Sequence, residues 1–272
     1  MSGTLPALID THAHLDDDQF DGEVDAVIQR ALAAGVQGIV NIGYRPKRWT
    51  TTLALAERFP EITFALGLHP HHADEWSPET EATLTELIRA YGPVALGEIG
   101  LDYFRNLNPP ELQRKVFERQ LEIASDLAMP VVIHQRAAEA DLIDSLKCAP
   151  ANLVCVLHSF DGTYELAEFG LDRGYYFGIG GLMTRAASAQ LRTVLSAVPV
   201  DHMLIETDSP YLVPAGAKSR RNEPANCVVI ADRLAELKRA EVSELVKKCT
   251  QNAQRVFGNR LPISNTNREA QK

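Results

Sequence analysis

The sequence predicts an α/β fold, a (β/α)8 TIM barrel, and three observations favour this class. The chain has 272 residues, which is close to the usual size of one such barrel. Short apolar runs alternate along it with longer segments of helical periodicity. Eight runs of this kind are present, and each is followed by a segment compatible with a helix. This count favours a closed barrel over an open doubly wound sheet.

The expected strands are mostly continuous apolar runs, a pattern typical of parallel strands that are buried on both faces. They cover residues 7–10, 38–43, 63–68, 94–98, 131–134, 153–158, 176–178 and 203–207. The seventh run is short and glycine-rich, which makes it the weakest evidence for eight strands.

The segments between the strands carry the signals of helix faces and helix ends. Apolar residues recur on one face between positions 24 and 32, and Gly35 follows where a C-cap is needed. A later helix is expected to begin with Ser77 as N-cap and Pro78 in its first turn, and to end at Gly92.

The last part of the chain continues the same pattern without a break. A loop at 209–224 follows the eighth strand, and two amphipathic segments cover 226–239 and 243–257. We see no internal repeat, linker or shift in composition, so we expect one hydrolase barrel domain at 1–258. Residues 259–272 are polar and are expected to form a disordered tail.

The composition indicates an ordinary cytoplasmic globular protein. Apolar residues make up 45% of the chain and charged residues 23%. No apolar run approaches the roughly 20 residues that cross a bilayer, and the first residues do not resemble a signal peptide. The four cysteines are scattered, as expected for reduced thiols. We therefore expect no membrane association, and no obligate protein partner is evident.

The net charge of −9 argues against a long basic surface that holds nucleic acid by phosphate neutralisation alone. It does not exclude phosphate substrates, because a bound metal supplies concentrated positive charge.

Histidines are concentrated where the expected strands end. His12 and His14 follow the first apolar run, His134 and His158 end the fifth and sixth, and His69 follows the third. The C-terminal ends of barrel strands form the active-site face. His12 and His14 are two residues apart on extended chain, so both imidazoles point the same way. Such a pair alone is more often two surface polar residues, but its position after an apolar strand favours a divalent-metal site.

Two carboxylates complete this group. Glu98 closes the fourth run, where an unpaired carboxylate is costly to bury, and its two oxygens could bridge two metals. Its alternative is a structural pair with a buried arginine. Asp208 follows the eighth run and could bind a metal and accept a proton from its water. A set of nitrogen and carboxylate ligands without cysteine suits Zn²⁺, Mn²⁺ or similar ions, and such ions favour hydrolysis.

Other polar residues carry weaker signals. His71 and His72 are expected to be solvated or close to substrate, not ligands. Glu206 could orient a neighbouring group, but a hydrogen bond inside the barrel is an equal alternative. His202 precedes its strand and is expected to be structural.

At this point the chain resembles the TatD family of metal-dependent deoxyribonucleases. The motifs that carry the resemblance are DTHAHL at 10–15, GLHP at 67–70, GEIGLDY at 97–103, IH at 133–134, HSF at 158–160, ETDSPYL at 206–212 and RNEP at 221–224. Together they extend over nearly the whole chain, from Asp10 to about Gly258. One departure is Gln135, where serine is more common in the family.

The resemblance implies a barrel of the amidohydrolase superfamily with one or two divalent ions, Mg²⁺, Mn²⁺ or Zn²⁺. It implies that one metal is held by His12, His14, Glu98 and Asp208. The other would be held by Glu98, His134 and His158. His69 would then contact substrate or support the ligands, and would not itself be a ligand.

The function expected from these residues is hydrolysis of phosphodiester bonds in DNA. The metals would polarise the phosphate and activate water, with Asp208 and Glu98 as the catalytic carboxylates. Substrate contacts are expected from His69, Tyr103, Arg136 and Arg221, because arginines can fork onto phosphates and aromatic rings can stack on bases. A 3′-5′ exonuclease acting on single strands or 3′ ends fits a pocket at the barrel mouth, a preference that also comes from the family.

Two alternatives remain open from the sequence. The first is an amidase, deacylase or lactonase on the same site, because fold and metals alone do not decide between these classes. Hydrolases with a bridging modified lysine would carry Lys where this chain has Glu98. The second is a binding protein that has lost catalysis, which the intact set of ligands disfavours.

Overall fold

The computed structural model describes residues 6–262, and in this range short strands alternate with helices. The strands are β1 (Leu8–Ala13), β2 (Val36–Gly43), β3 (Ile62–Leu66), β4 (Ala95–Asp102), β5 (Val131–Arg136), β6 (Cys155–Leu157), β7 (Tyr176–Ile179) and β8 (Met203–Ile205). The α-helices are α1 (Val24–Ala33), α2 (Pro46–Arg58), α3 (Pro78–Tyr91), α4 (Pro110–Asp126), α5 (Glu139–Cys148), α6 (Tyr164–Asp172), α7 (Ala189–Ala197), α8 (Cys227–Lys238) and α9 (Val242–Phe257).

The strands form one parallel sheet in which each strand pairs with the next along the chain, from β1 to β8. The ends of this sheet meet at a parallel bridge between Ala13 and Ser209. The backbone N–H of Asp208 donates to the carbonyl of His12 at 2.9 Å, and the N–H of His14 donates to Ser209 at 2.7 Å. The sheet is thus a nearly closed barrel. The predicted fold is confirmed, and so is the short seventh strand.

The strand bounds differ from the predicted ranges: β6 and β8 are shorter, whereas β1, β4 and β5 extend further at their C-terminal ends. β1, β4 and β5 continue past the first polar residue of their apolar runs, so His12, Glu98 and His134 lie within strands and not at their ends. The strands continue because backbone pairing persists after the apolar pattern has stopped. Asp102, for example, still pairs with Arg136.

Two strand irregularities occur at candidate ligands. On β4 and β5, Gly97 pairs with Val132 and Ile99 with Ile133, so Glu98 has no partner on β5. The register of β1 against β2 also shifts between Asp10 and Ala13, the stretch that contains His12. A bulge of this kind bends the strand and changes the direction of its side chains. Both bulges therefore act on residues of the candidate site.

Apolar residues fill both sides of the sheet. The larger cluster packs strand residues against the surrounding helices, for example Phe20 and Trp49 with Phe117. A second cluster joins strand residues such as Val40 to the apolar face of α9 and to Leu261. Helix α9 thereby packs against β1 and β8, as its amphipathic pattern predicted. Since Leu261 is buried, the packed chain continues beyond the expected boundary at 258. Residues 263–272 of the expected tail lie outside the described residues.

The predicted helix ends at α3 agree with the structure. The hydroxyl of Ser77 accepts the N–H of Thr80, Pro78 starts the helix, and Gly92 ends it with φ of 58°. Within residues 6–262, no helix is both long and apolar enough to cross a membrane.

Candidate functional site

A cavity of about 700 Å³ opens at the C-terminal ends of the strands. It is lined by predicted ligands, by other histidines and by three arginines: His14, His69, His71, His72, Glu98, His134, His158, Asp208, Arg105, Arg136 and Arg185, among others. A larger groove of about 1170 Å³ lies between α3 and α4, and none of its lining residues is a candidate ligand. Of these two cavities, the candidate ligands therefore line the one at the C-terminal ends of the strands, which we call the barrel mouth.

One group of donor atoms surrounds the end of β1. The Nε2 atoms of His12 and His14 lie 3.3 Å apart. Oδ1 of Asp208 lies 3.8 Å from Nε2 of His12 and 3.3 Å from Nε2 of His14. Oε2 of Glu98 lies 3.5 and 3.9 Å from the same two nitrogens. Ligands held at about 2.1 Å around one ion are separated by roughly 3.0–3.5 Å, so this spacing suits a single divalent cation.

A second group surrounds the other oxygen of Glu98. Oε1 lies 2.9 Å from Nδ1 of His134 and 3.6 Å from Nε2 of His158. Nε2 of His69 also lies 3.6 Å from this oxygen. The two carboxylate oxygens of Glu98 therefore face different sets of nitrogens. This is the arrangement that a carboxylate bridging two metals requires.

A second contact on each imidazole determines which nitrogen is free. Nε2 of His134 faces Oδ2 of Asp102 at 3.2 Å, and Nδ1 of His158 faces Oε1 of Glu206 at 2.8 Å. With a cation bound, each ring would be neutral and its N–H would lie on the nitrogen that faces Asp102 or Glu206, so Nδ1 of His134 and Nε2 of His158 would offer their lone pairs to the ion. Metal-binding histidines commonly have such a carboxylate or carbonyl partner. Oε1 of Glu206 also accepts the backbone N–H of Ser159 at 2.6 Å, so both alternatives for Glu206, the orienting contact and the hydrogen bond inside the barrel, are compatible with the structure.

His69 is arranged in the opposite way. Its Nδ1 accepts the backbone N–H of His71 at 3.1 Å, which leaves the proton of the neutral ring on Nε2. Burial lowers the pKa of His69 well below its ordinary value, so the ring is neutral. Nε2–H therefore faces Oε1 of Glu98, 3.6 Å away, at the cavity wall. The role of His69 in contacting substrate stays a prediction.

The charges of the site favour a bound cation. Glu98 is buried and Asp208 is partly buried beside the imidazoles, and no lysine or arginine of residues 6–262 forms an ion pair with either carboxylate. Burial disfavours a charged imidazole, yet hydrogen bonds to Asp102 and Glu98 outweigh it and raise the pKa of His134 to about 9. The pKa of His158 is raised to about 10, since nearby carboxylates outweigh its burial. The carboxylates thus favour positive charge on the neighbouring imidazoles. A divalent ion bound between the same groups would supply that positive charge, and the nitrogen and oxygen donors fit such an ion.

Close backbone approaches hold this arrangement. Gly100 has φ of 141°, and a Cβ there would lie 2.0 Å from the carbonyl oxygen of His134. A Cβ at Gly178 would lie 2.1 Å from Oε2 of Glu206. Asp208 has φ of 56°, a left-handed conformation that aspartate and asparagine tolerate better than most residues. The two glycines next to the ligands, Gly100 and Gly178, therefore allow neighbouring strands to approach closely.

Sequence reasoning missed two buried aspartates. Asp102 accepts hydrogen bonds from His71 at 2.7 Å and from the backbone N–H of Arg105 at 2.8 Å, besides its contact with His134. Asp10 accepts the N–H and the hydroxyl of Thr207, at 2.9 and 2.5 Å. Burial raises the pKa of Asp10 to about 7. A carboxylate within or directly after an apolar run was the available signal for both.

The expected substrate contacts divide into two groups. Arg136 and His69 line the cavity, whereas Tyr103 and Arg221 do not. The hydroxyl of Tyr103 donates to Asp141 at 2.8 Å. The guanidinium of Arg221 lies on the ring of Phe20 and forms ion pairs with Glu23 and Glu223. In this structure Tyr103 and Arg221 connect segments of the protein instead of facing the cavity.

Comparisons with known proteins agree with this geometry. The model of the family described as TatD related DNase matches residues 9–258. The chain is 38% identical to the 3′-5′ ssDNA/RNA exonuclease TatD of Erwinia tasmaniensis, over 92% of this chain and 99% of that protein. It is 36% identical to the uncharacterized metal-dependent hydrolase YabD of Bacillus subtilis, over 92% and 98%. Among solved structures, the TatD homologue YjjV of Escherichia coli has a TM-score of 0.86 at 32% identity, covering 92% and 97%.

Proposed function

Because the chain belongs to the family of TatD-related DNases, we propose that it is a metal-dependent 3′-5′ exonuclease of single-stranded DNA. The observation that carries the proposal is the position of Glu98, whose two oxygens face two separate groups of imidazole nitrogens. In this proposal His12, His14 and Asp208 would hold one ion and His134 and His158 the other, and Glu98 would contribute to both sites. Mg²⁺, Mn²⁺ and Zn²⁺ are the candidate ions.

When bound, a divalent ion would supply the positive charge that makes water more acidic and the phosphate more open to attack. The side chains supply the remaining steps. Burial raises the pKa of Asp208, but the hydrogen bond with His14 and the nearby imidazoles lower it below its ordinary value, so this carboxylate is free to accept a proton at neutral pH. Nε2–H of His69 donates to a phosphate oxygen, and Arg136 binds the backbone of the strand.

Several features favour the phosphodiester over a small carbonyl substrate. Arg105, Arg136 and Arg185 line the cavity, and none forms an ion pair with a carboxylate of the described residues. Free guanidinium groups suit an anionic backbone better than a neutral amide or lactone. The relatives named as nucleases support the same choice. We also propose a cytoplasmic location, which the four free cysteines support.

The test is hydrolysis by the purified protein of a 5′-labelled single strand, the matching duplex, and a panel of esters, amides and lactones. We expect stepwise shortening of the single strand from its 3′ end. Chelation should abolish it, and Mg²⁺, Mn²⁺ or Zn²⁺ should restore it to different extents. Full activity in protein shown by elemental analysis to be metal-free, or turnover of the carbonyl panel alone, would contradict the proposal.

A further inference from the structure

Exposed apolar side chains gather at the mouth of the cavity. Among the described residues the large ones are Tyr91, Phe104, Leu107, Val154, Tyr164 and Tyr211. Leu107 and Tyr211 line the cavity, and Phe104 lies against the cavity residue Arg136. Half of these exposed groups thus lie around the opening of the cavity. We call this surface, formed by Phe104, Leu107 and Tyr211, the rim. Exposed apolar surface that is concentrated beside a cavity commonly marks a binding site.

Phe104 is held as a flat surface with one face free. The guanidinium carbon of Arg136 lies 4.0 Å from the centre of its ring, a cation–π contact that covers one face. Even so, 64% of Phe104 remains exposed, as does 63% of Leu107 three residues later.

The loop that carries this surface is tied to the ligand cluster. The backbone N–H of Tyr103 donates to the carbonyl of Arg136 at 2.9 Å. The N–H of Arg105 donates to Oδ1 of Asp102, whose other oxygen contacts His134. Phe104 is therefore held between two residues that are fixed relative to the site, so a group bound on its ring has a defined distance from the reacting phosphate.

We propose that Phe104, flanked by Leu107, is a stacking platform for one nucleobase of a single strand, next to the phosphate that is hydrolysed. The inference rests on the proposed function and extends it to the recognition of the base. Arg136 lies between the platform and the cavity, where its N–H groups contact the strand's phosphate while its plane stays on Phe104.

The chemistry of the rim favours a nucleobase as the occupant. Planar aromatic and cationic groups occur together there, and every base offers a π-face while its phosphate matches an arginine. The net charge of −9 leaves little general attraction for the backbone, so stacking has to contribute to affinity. In a duplex both faces of an internal base are already stacked. The platform therefore gives a physical reason for a preference for single strands.

The test compares Phe104→Ala and Phe104→Trp with Tyr91→Ala. Tyr91 is similarly exposed, at 59%, but ends α3 away from the cavity. The Kd of a fluorescent oligonucleotide is measured in EDTA, so that binding is followed without hydrolysis. Stacking of one base contributes about 1–3 kcal/mol, so Phe104→Ala should raise Kd by about 5- to 150-fold. Phe104→Trp should keep the wild-type Kd, and Tyr91→Ala should not change it.

A series of oligonucleotides with one abasic site, moved stepwise from the 3′ end, identifies the stacked base. In the wild-type protein one position should weaken binding about as much as Phe104→Ala does. At that position the loss should be absent in Phe104→Ala, because two changes that remove the same contact are not additive. Equal losses in both proteins, or an unchanged Kd for Phe104→Ala, would overturn the platform.

Hydrolysis of bis(4-nitrophenyl) phosphate with Mn²⁺, measured on the wild-type protein, separates this inference from the proposed function. If the protein binds single strands through Phe104 but hydrolyses neither this diester nor DNA, the proposed function is wrong and the platform remains. If it hydrolyses both and Phe104→Ala binds normally, the platform is wrong and the proposed function remains.

Discussion

At the scale of single residues, Asp208 combines a backbone role with a chemical one. Its N–H closes the barrel against His12, and its left-handed φ of 56° suits only a few residue types. Its carboxylate also lies among the donor atoms of the first group. Asparagine is the informative replacement, because it tolerates the same φ and offers one oxygen but cannot accept a proton from water near neutral pH.

We predict that Asp208→Asn keeps the fold and most of the metal affinity but loses most hydrolysis. Removing a general base typically costs about 10²–10⁴ in rate. His12→Ala removes a ligand outright and should lower the metal content instead. Metal content, Tm and kcat are measured for both variants. A wild-type kcat for Asp208→Asn at full metal occupancy would mean that another group activates the water.

Asp102 acts through its neighbours. It faces the nitrogen of His134 that points away from Glu98, and it also accepts a hydrogen bond from His71. We predict that Asp102→Asn weakens metal binding by about 10–100-fold, the usual effect of removing such a partner. Titration with Mn²⁺ or Zn²⁺ measures it.

Asp141→Asn is the control for Asp102→Asn, because it removes a nearby carboxylate that pairs with Tyr103 and Arg114 and does not line the cavity. Equal metal affinity in Asp102→Asn and the wild-type protein would exclude the positioning role.

At the scale of elements, the site depends on how closely β4 approaches β5. The two strands contribute Glu98 and His134 side by side, and Gly100 allows the contact because any Cβ would meet the carbonyl of His134. The bulge at Glu98 lies two residues earlier on the same strand. A short stretch of β4 thus determines both the direction of Glu98 and its distance from His134.

We predict that Gly100→Ala lowers both stability and metal affinity, because β4 and β5 have to separate beside the ligands. Gly174→Ala is the matched control. Gly174 also has positive φ, at 71°, but a Cβ there would have no atom within 4 Å. The control should lose only about 1 kcal/mol of unfolding free energy, from the strained backbone, and bind metal normally. Denaturant unfolding and metal titration measure both, and equal losses in the two variants would exclude the steric explanation.

At the scale of the whole molecule, the site concentrates carboxylates, and no lysine or arginine between residues 6 and 262 forms an ion pair with Glu98 or Asp208. Carboxylates and imidazoles from β1, β4, β5 and the ends of β6 and β8 converge in the interior of the barrel mouth. In the absence of a cation, protonated imidazoles have to neutralise the carboxylates. A bound divalent ion should therefore stabilise the whole barrel, because the donors come from strands that are far apart in the chain.

We predict that removing the metal lowers Tm. A ligand at 100 times its Kd contributes about 2.7 kcal/mol to the folded state, which corresponds to a shift of roughly 5–10 °C for a domain of this size. Thermal unfolding with metal and with EDTA measures the shift. The shift should be smaller in His12→Ala, which lacks one ligand. A Tm that does not respond to chelation would show that the cluster does not bind a metal in solution.

The sequence by itself determined the barrel and the identity of most candidate ligands. Both depend on local patterns: apolar runs mark the strands, helix ends such as Gly92 mark the connections, and histidines or carboxylates close to the ends of the runs mark the active face. In a parallel barrel all these ends lie on one side. A pattern that is local in the sequence was therefore enough to bring the residues together in space.

Only the tertiary structure decided how these residues are oriented and which others support them. The bulge at Glu98 arises from how β4 pairs with β5. Two further contacts join distant parts of the chain: Asp102 pairs with His134, and Glu206 pairs with His158. The ion pair of Arg221 with Glu23 joins residues 198 positions apart and keeps this guanidinium outside the cavity. Such contacts depend on register and ring closure, which no local pattern specifies, because they form only when distant strands pack at fixed positions.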